Sequence, residues 1–275
     1  MIRERILDRY SVLGVIGRGV FSSVLRCLDT RSTENKEEGE NENENEEEND
    51  EESKTSDQKM VAIKLARNND TMRKSAMTEL AILQQLRDTD PHHKKFIVRL
   101  EDSGDHRNHI ALVFEHMDMD LREALLKFGK NVGINVSGVR MYSRQLLVAL
   151  KHVKSQKIVH ADLKLGIFLI YFLSIDFAFF LDNILVSEDL RQIRLCDFGS
   201  AFYEKNTETG VTNDEITPYL VSRFYRAPEI ILGNCYNHQL DLWSAACCIY
   251  ELFTGKVFYH FFINEKFCSK IGVFS

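Results

Sequence analysis

A run of 24 residues, 34 to 57, holds 11 Glu, 2 Asp and only 2 Lys, and the wider stretch TENKEEGENENENEEENDEESKTSDQK contains no aliphatic or aromatic side chain. Such a segment has no apolar surface to bury against the entropy of ordering, so no core is built from it. Any fold must therefore be assembled from what lies on either side. Strand-like sequence resumes immediately afterwards at MVAIKLA, residues 60 to 66, so residues 31 to 58 are expected to be a disordered connection inserted between two strands. The run also distorts the charge. The 275-residue chain carries -6 overall, but these 24 residues contribute -11 and leave +5 elsewhere, from 33 basic and 28 acidic residues. A balance of +5 spread over the remainder is no nucleic-acid footprint, and direct nucleic-acid binding is not expected.

Before the acidic run, RYSVLGVIGRGVFSSVLRCLD (residues 9–29) alternates apolar and polar residues around a glycine pair, the pattern of two antiparallel strands joined by a Gly-containing turn. After it, Met72, Ala76, Leu80, Leu83 and Leu86 recur at helical spacing over 71–87. FIVRLEDS and HIALVFEH are two further strand candidates, and Val139, Tyr142, Leu146, Leu150 and Val153 mark a second long helix. Short strands follow at DNILV and QIRLCD, then a helix at QLDLWSAACCIYELF. Strands gather in the first part and helices in the second, which predicts an α+β fold. The six cysteines show no CxxC pair and no metal-ligand spacing, and read as reduced core residues of an intracellular protein. The N-terminus lacks the apolar segment of a secretory signal.

Gly17-Arg18-Gly19 by itself fits an ordinary hairpin, or a turn where backbone N–H groups approach a polyphosphate that a Cβ would obstruct. Lys64 in VAIK reads either as an exposed edge charge or as a cation held inward by a carboxylate, for which Glu79 is available. Four later strings decide between these readings by their order: His160-Ala161-Asp162-Leu163-Lys164, Asp182-Asn183-Ile184-Leu185-Val186, Asp197-Phe198-Gly199 and Ala227-Pro228-Glu229. Phosphoryl transfer needs cations on the phosphates and an acceptor for the hydroxyl proton. Asp162 can accept that proton, Lys164 can neutralise the moving phosphoryl group, and Asn183 with Asp197 can hold magnesium.

With these strings the chain resembles the eukaryotic protein kinases over residues 10 to about 257. HADLK, CDFGSA and SRFYRAPE preceded by TPYLV are similar to the CMGC group, and within it to the pre-mRNA-processing, splicing-associated serine/threonine kinases. The resemblance implies a bilobal fold, a small β-rich N-lobe over residues 1–115 and a helical C-lobe over 116–257, with ATP in the cleft and Mg2+ as its companion ion. It implies catalytic roles for Asp162, Lys164, Lys64 and Glu79, and magnesium ligation by Asn183 and Asp197. ATP is expected to meet Ile16, Gly17, Gly19, Val24, Ala62, Lys64 and Phe114, the last at the back of the adenine pocket, with Glu115 and Met117 as the hinge. Tyr219 is expected to be a regulatory phosphosite read by Arg223. The implied partners are ATP and protein substrates, splicing factors among them, and the implied location is the nucleus.

The chain departs from the family pattern in four places. Ser22 replaces the third loop glycine. Ala161 replaces the usual arginine, so a phosphate on the activation segment is not gripped from the catalytic loop. Residues 165–181, LGIFLIYFLSIDFAFFL, separate Asp162 from Asn183 by 21 positions, where the family motif has about five. After TGKVF the sequence reads YHFFINEKFCSKIGVFS (residues 259–275 after Phe258), unlike the family's remaining C-lobe helices, so the C-lobe is expected to be incomplete and 258–275 an unrelated tail. The insertion is 14-of-17 apolar, yet a spanning helix needs about 20 residues and a mid-span charge such as Asp176 costs roughly 2.5 to 3.5 kcal/mol, so no membrane span is expected. Two readings stay open at this point. The chain is an ATP-dependent serine/threonine kinase, or it is a catalytically impaired splice or gene-model product serving at most as a nucleotide-binding or interaction module, its catalytic groups displaced by the insertion.

Overall fold

The computed structural model describes residues 4–19, 22–31, 59–130, 132–165, 182–204 and 220–258. The acidic run 32–58, residues 166–181, Tyr219 and the tail from 259 lie outside the described residues. The chain divides into two compact units, Met1–Lys74 with Leu100–His116, and Ser75–Arg99 with Met117–Ser275.

The first unit is an antiparallel sheet of six strands: β1 (Arg5–Ile6), β2 (Tyr10–Arg18), β3 (Ser22–Asp29), β4 (Met60–Ala66), β5 (Leu100–His106) and β6 (His109–Glu115), in the order β1-β2-β3-β4-β6-β5. The predicted strands 9–29 and 60–66 are present, and β3 pairs with β4 from Ser22↔Ala66 to Leu28↔Met60. Asp29 N–H donates to the Lys59 carbonyl at 3.0 Å, so the acidic connection leaves and re-enters at adjacent points of the ladder. One face of the sheet buries Ile6, Tyr10, Cys27, Val61, Ile63, Ala111 and Val113 as a core, a selection imposed by the period of two along each strand. A polar network fixes one side of it. Arg9 holds Asp29 at 2.5 Å and Asp102 at 3.2 Å, and the Tyr10 hydroxyl donates to Asp102 at 3.0 Å. The expected strand FIVRLEDS starts late, at Leu100, and continues to His106. Arg107 and Asn108, both with positive φ (51° and 67°), then form the two-residue turn into β6.

The second unit contains most of helix α1 (Asp70–Asp88), followed by β7 (Met119–Asp120), α2 (Leu121–Ala124), α3 (Val136–Ser155), β8 (Ile158–Val159), β9 (Ile184–Val186), β10 (Ile193–Leu195), β11 (Phe202–Tyr203), α4 (Pro228–Ile231) and α5 (Gln239–Thr254). The buried stripe of α1 is Ala76, Glu79, Ile82, Leu83 and Leu86. The expected Leu80 lies at its margin because the stripe runs through Glu79, a carboxylate that apolar periodicity does not register. Helix α3 starts where Asn135 Oδ1 accepts the Gly138 N–H at 2.8 Å. Its Gln145 side chain accepts from Ile193 N–H and donates to the Arg191 carbonyl, both at 2.7 Å, which pins the β9–β10 hairpin. Helix α5 ends at Gly255 (φ 67°), whose N–H reaches the Glu251 carbonyl at 2.8 Å; only glycine adopts that left-handed cap without penalty. The fold is α+β, as expected. Among the described residues no helix is long and apolar enough to cross a membrane. Cys27, Cys247 and Cys248 are buried free thiols and Cys196 is half-buried, but Cys235 is exposed rather than part of the core.

Candidate active site

In the sheet unit, cross-strand register gathers the expected nucleotide-binding positions. Gly17 pairs with Val24, Val24 with Lys64 and Lys64 with Leu112, while Ala62 pairs with Phe114. Residues directly opposite one another share a face, as do residues two apart on one strand. Val24, Ala62, Lys64 and Phe114 therefore line the face opposite the Ile63–Val113 core. Ile16 falls at a register shift between Val15 and Gly17 and is 40% exposed. Gly19 N–H donates to the Ser22 carbonyl at 2.8 Å, closing the turn. Glu115 is half-buried at the end of β6.

In the helical unit, residues 160–164 are held by side chains far away in sequence. Asp241, in the first turn of α5, accepts the backbone N–H of His160 at 2.8 Å and of Ala161 at 2.9 Å. Two bonds to successive amides fix the loop's orientation, and Ala161 takes a left-handed φ of 64° within it. Asp241 is 4% exposed, and burial raises its pKa above the ordinary value despite the two donors. His160 is fully buried, bonds the Cys196 carbonyl through Nε2 at 3.0 Å and meets the Phe198 ring edge-on at 4.8 Å. The His160, Asp162 and Asp197 segments are tied together through these contacts.

The Asp162 carboxylate is held from three sides. Lys164 Nζ donates to Oδ2 at 2.6 Å, Asn183 Nδ2 to Oδ2 at 3.2 Å, and Ser222 Oγ to Oδ1 at 2.8 Å. Asn183 Nδ2 also bonds the Asp162 carbonyl. The expectation that the insertion displaces Asn183 from Asp162 is therefore corrected. Asn183 N–H lies 3.5 Å from the Lys164 carbonyl and Cys196 N–H donates to the Asn183 carbonyl at 3.0 Å, so backbone contacts on both sides seat Asn183. With its amide nitrogen engaged, Asn183 Oδ1 is a buried oxygen without a partner among the described residues. Asp197 adopts a left-handed conformation (φ 60°, ψ 72°) at the turn into Phe198. These two hard oxygen donors fit a magnesium ion that draws its other ligands from phosphates and water. Beside them, burial and neighbouring Asp120 push the Asp182 carboxyl up to about 9.

Sequence reasoning missed Asp241, Ser222, and the buried pair in which Tyr225 donates its hydroxyl to Glu251 at 2.7 Å. Asp241 and Glu251 carry a signal, being the two acids of an otherwise uncharged helix. Ser222 carries none, for a serine in a polar loop has no pattern. Met117 and Glu79 lie in the helical unit, half-buried and 4% exposed respectively. Arg223 opens the short turn Arg223–Tyr225 and is exposed.

Residues 50–270 match the protein kinase domain family. The chain is 38% identical over 253 residues to serine/threonine-protein kinase prpf4B of Dictyostelium discoideum, covering 91% of this chain and 25% of that protein. It is 36% identical over 259 residues to serine/threonine-protein kinase prp4 of Schizosaccharomyces pombe, covering 94% and 44%, and 30% identical over 255 residues to human dual specificity tyrosine-phosphorylation-regulated kinase 4, covering 93% and 40%. It thus spans from a quarter to under half of the length of these relatives. A carboxylate tied to a lysine, an amide with a free oxygen and an Asp-Phe-Gly turn, on a chain so aligned, place it in the protein kinase family, within the CMGC group and beside serine/threonine kinases.

Proposed function

We propose that this chain transfers the γ-phosphate of ATP to serine or threonine hydroxyls of proteins. The observation that carries the reading is the three-sided grip on Asp162, which aims a carboxylate beside a lysine and beside the free oxygen of Asn183. The substrate hydroxyl oxygen attacks the γ-phosphorus, the bond from that phosphorus to the β–γ bridging oxygen breaks, ADP leaves, and the hydroxyl proton passes to Asp162. Lys164 balances charge on the moving phosphoryl group. Asn183 Oδ1 and Asp197 would hold Mg2+, which when bound supplies charge neutralisation on the phosphates. On the sheet unit, Lys64 would contact phosphate, with Glu79 as its carboxylate partner. Ile16, Val24, Ala62, Phe114, Glu115 and Met117 would take the adenine, and the Gly17–Gly19 turn the phosphates.

Resemblance to pre-mRNA-processing kinases supports splicing factors as the substrates and the nucleus as the location. Phosphorylation of Tyr219, read by Arg223, would order the activation segment. The test is transfer of phosphate from ATP to a basic protein with Mg2+ present, Asp162→Asn serving as the blank. Equal labelling by both chains, or none by either, defeats the proposal.

A further inference from the structure

Five side chains stand exposed along one line of helix α3: Arg140, Arg144, Leu147, Lys151 and Lys154. They follow one another at steps of four, three, four and three. At 100° per residue that keeps them within an arc of about 80° and spreads them over roughly 21 Å of helix axis. The opposite arc, with Tyr142, Gln145, Leu146, Ala149 and Val153, is buried. The helix is also anchored along its length. Asn135 Oδ1 caps its start at 2.8 Å, the Tyr142 hydroxyl donates to the Leu190 carbonyl at 2.8 Å, and Gln145 bonds Ile193 and Arg191 at 2.7 Å. The backbone origins of the four cations are therefore fixed relative to one another.

The charge on this face is of one sign. None of the 20 residues of α3 is Asp or Glu, and Arg140, Arg144, Lys151 and Lys154 have no hydrogen bond or ion pair among the described residues. Glu188 and Asp189 belong to the β9–β10 turn, which Tyr142 and Gln145 hold on the other side of the helix, and Asp189 is engaged by Ser187 Oγ at 2.6 Å and Arg191 N–H at 3.0 Å. A helix face that meets only water commonly mixes both signs, because acid–base pairs three or four apart support the helix and like charges at those spacings repel. Here Arg140 neighbours Arg144, and Lys151 neighbours Lys154. The helix dipole favours cations in the last turn, which accounts for Lys154 and not for two arginines in the first half. Composition does not account for the line either, since outside residues 34–57 the chain holds 33 basic and 28 acidic residues.

Leu147, 44% exposed, sits at the centre of the line with two cations on each side. A partner that brings an aliphatic side chain to it removes both from water. No aromatic side chain lies on this face to stack on bases, which sets it apart from a platform for single-stranded nucleic acid, and one leucine offers too little apolar surface to enter a lipid interface. We propose that the exposed face of α3 is a docking surface for an acidic segment of a partner protein, one that carries carboxylates on both sides of an aliphatic residue. Clusters of basic side chains recognise acidic motifs in this way, and the field of four cations of one sign steers the encounter. Docking here requires neither Asp162 nor phosphate transfer, so it is measured without ATP.

The test is fluorescence anisotropy of the full chain with a labelled peptide of about 15 residues, bearing two glutamates on either side of a central leucine at the spacing of the line. The glutamate peptide should bind at least about tenfold more tightly than its lysine counterpart, and raising sodium chloride from about 0.05 to about 0.5 M should weaken it by a similar factor. The double variant Arg144→Glu with Lys151→Glu should lose that binding and prefer the lysine peptide. Arg144→Gln with Lys151→Gln, which adds no new charge, should weaken the glutamate peptide by about threefold or more, and it decides the matter if the Glu pair fails to fold by circular dichroism. Equal binding of both peptides, or unchanged affinity in the Gln pair, overturns the proposal. So does a single-stranded RNA that binds more tightly than the glutamate peptide and displaces it, which would make the face a nucleic-acid site. Binding that appears only after residues 32–58 are replaced by a Gly/Ser turn also overturns it, since the chain's own acids would then be the occupant.

Discussion

The connections from β3 to β4 and from Lys164 to Asp182 are both lengthened, and their ends are held by different means. The first closes on seven consecutive cross-strand pairs, from Ser22↔Ala66 to Leu28↔Met60, plus the Asp29–Lys59 bond at 3.0 Å. The second closes on one backbone approach of 3.5 Å between Asn183 and Lys164 and on side chains that reach across it. A ladder places residues by repetition and tolerates the loss of any member. A loop seated by individual side chains depends on each of them. Single side-chain losses should therefore be absorbed at the first junction and felt at the second, even where the length of the connection itself matters little.

The most severe way to test that contrast is Asp162→Asn, which keeps the shape of the second junction and removes the proposed proton acceptor and the charged partner of Lys164. Phosphate transfer should fall by about 10² to 10⁴-fold, with no change in ATP binding to match it; transfer within tenfold of the unaltered chain shows that Asp162 is not the acceptor. Asp241→Ala comes next, since it strands two buried N–H groups at roughly 1 to 3 kcal/mol each. Urea titration should show a stability loss of that order, and Asp241→Asn a smaller one. An unchanged midpoint in both would mean that the loop does not need its hook.

Glu251 gives the same contrast a pH axis. Burial raises its carboxyl above the ordinary 4.5, against the opposing influence of the Tyr225 hydroxyl and Arg122. An acid whose folded pKa is raised holds more protons folded than unfolded, so its contribution to stability is lost as pH climbs upward from about 4.5. Glu251→Gln retains an acceptor for Tyr225 and should flatten that decline. A steeper decline in the variant, measured by thermal unfolding between pH 4.5 and 8, contradicts the assignment. Replacing residues 166–181 with a short linker should stabilise the chain by about 1 kcal/mol through shorter loop closure, and change phosphate transfer by less than about tenfold. A hundredfold gain would show that Asn183 is misplaced in solution. The smallest effect is expected at the first junction, where a Gly/Ser turn in place of residues 32–58 should leave ATP affinity within about twofold; a tenfold loss would bring the acidic run into the site.

The same distinction explains what could be read from the sequence. Alternation in residues 9–29 and 60–66 located β2, β3 and β4, whereas Val24, Ala62 and Phe114 were singled out by resemblance and only the cross-strand register shows that they share a face with Lys64. Helices α1, α3 and α5 were legible from apolar spacing, except where Glu79 entered the buried stripe. The hooks of the helical unit were not. Asp241 acts on residues 80 and 81 positions away and Ser222 on one 60 away, and no periodicity encodes a pairing at such a distance. Asp162, Asn183 and Asp197 were found through their strings, not through any local pattern that would place them together.

Helix α5 makes one more connection. Asp241 holds the His160–Ala161 backbone, Ser244 donates to the Tyr225 carbonyl at 2.8 Å, and Glu251 takes the Tyr225 hydroxyl at 2.7 Å. At 100° per residue these three lie within about a quarter turn of one another, along some 15 Å of axis. One rod thus sets the spacing between the loop that carries Asp162 and the turn that carries Arg223. Heat or denaturant that frays α5 releases both anchorages in a single step, so activity should vanish as a switch with the helix's own melting rather than fade ahead of it.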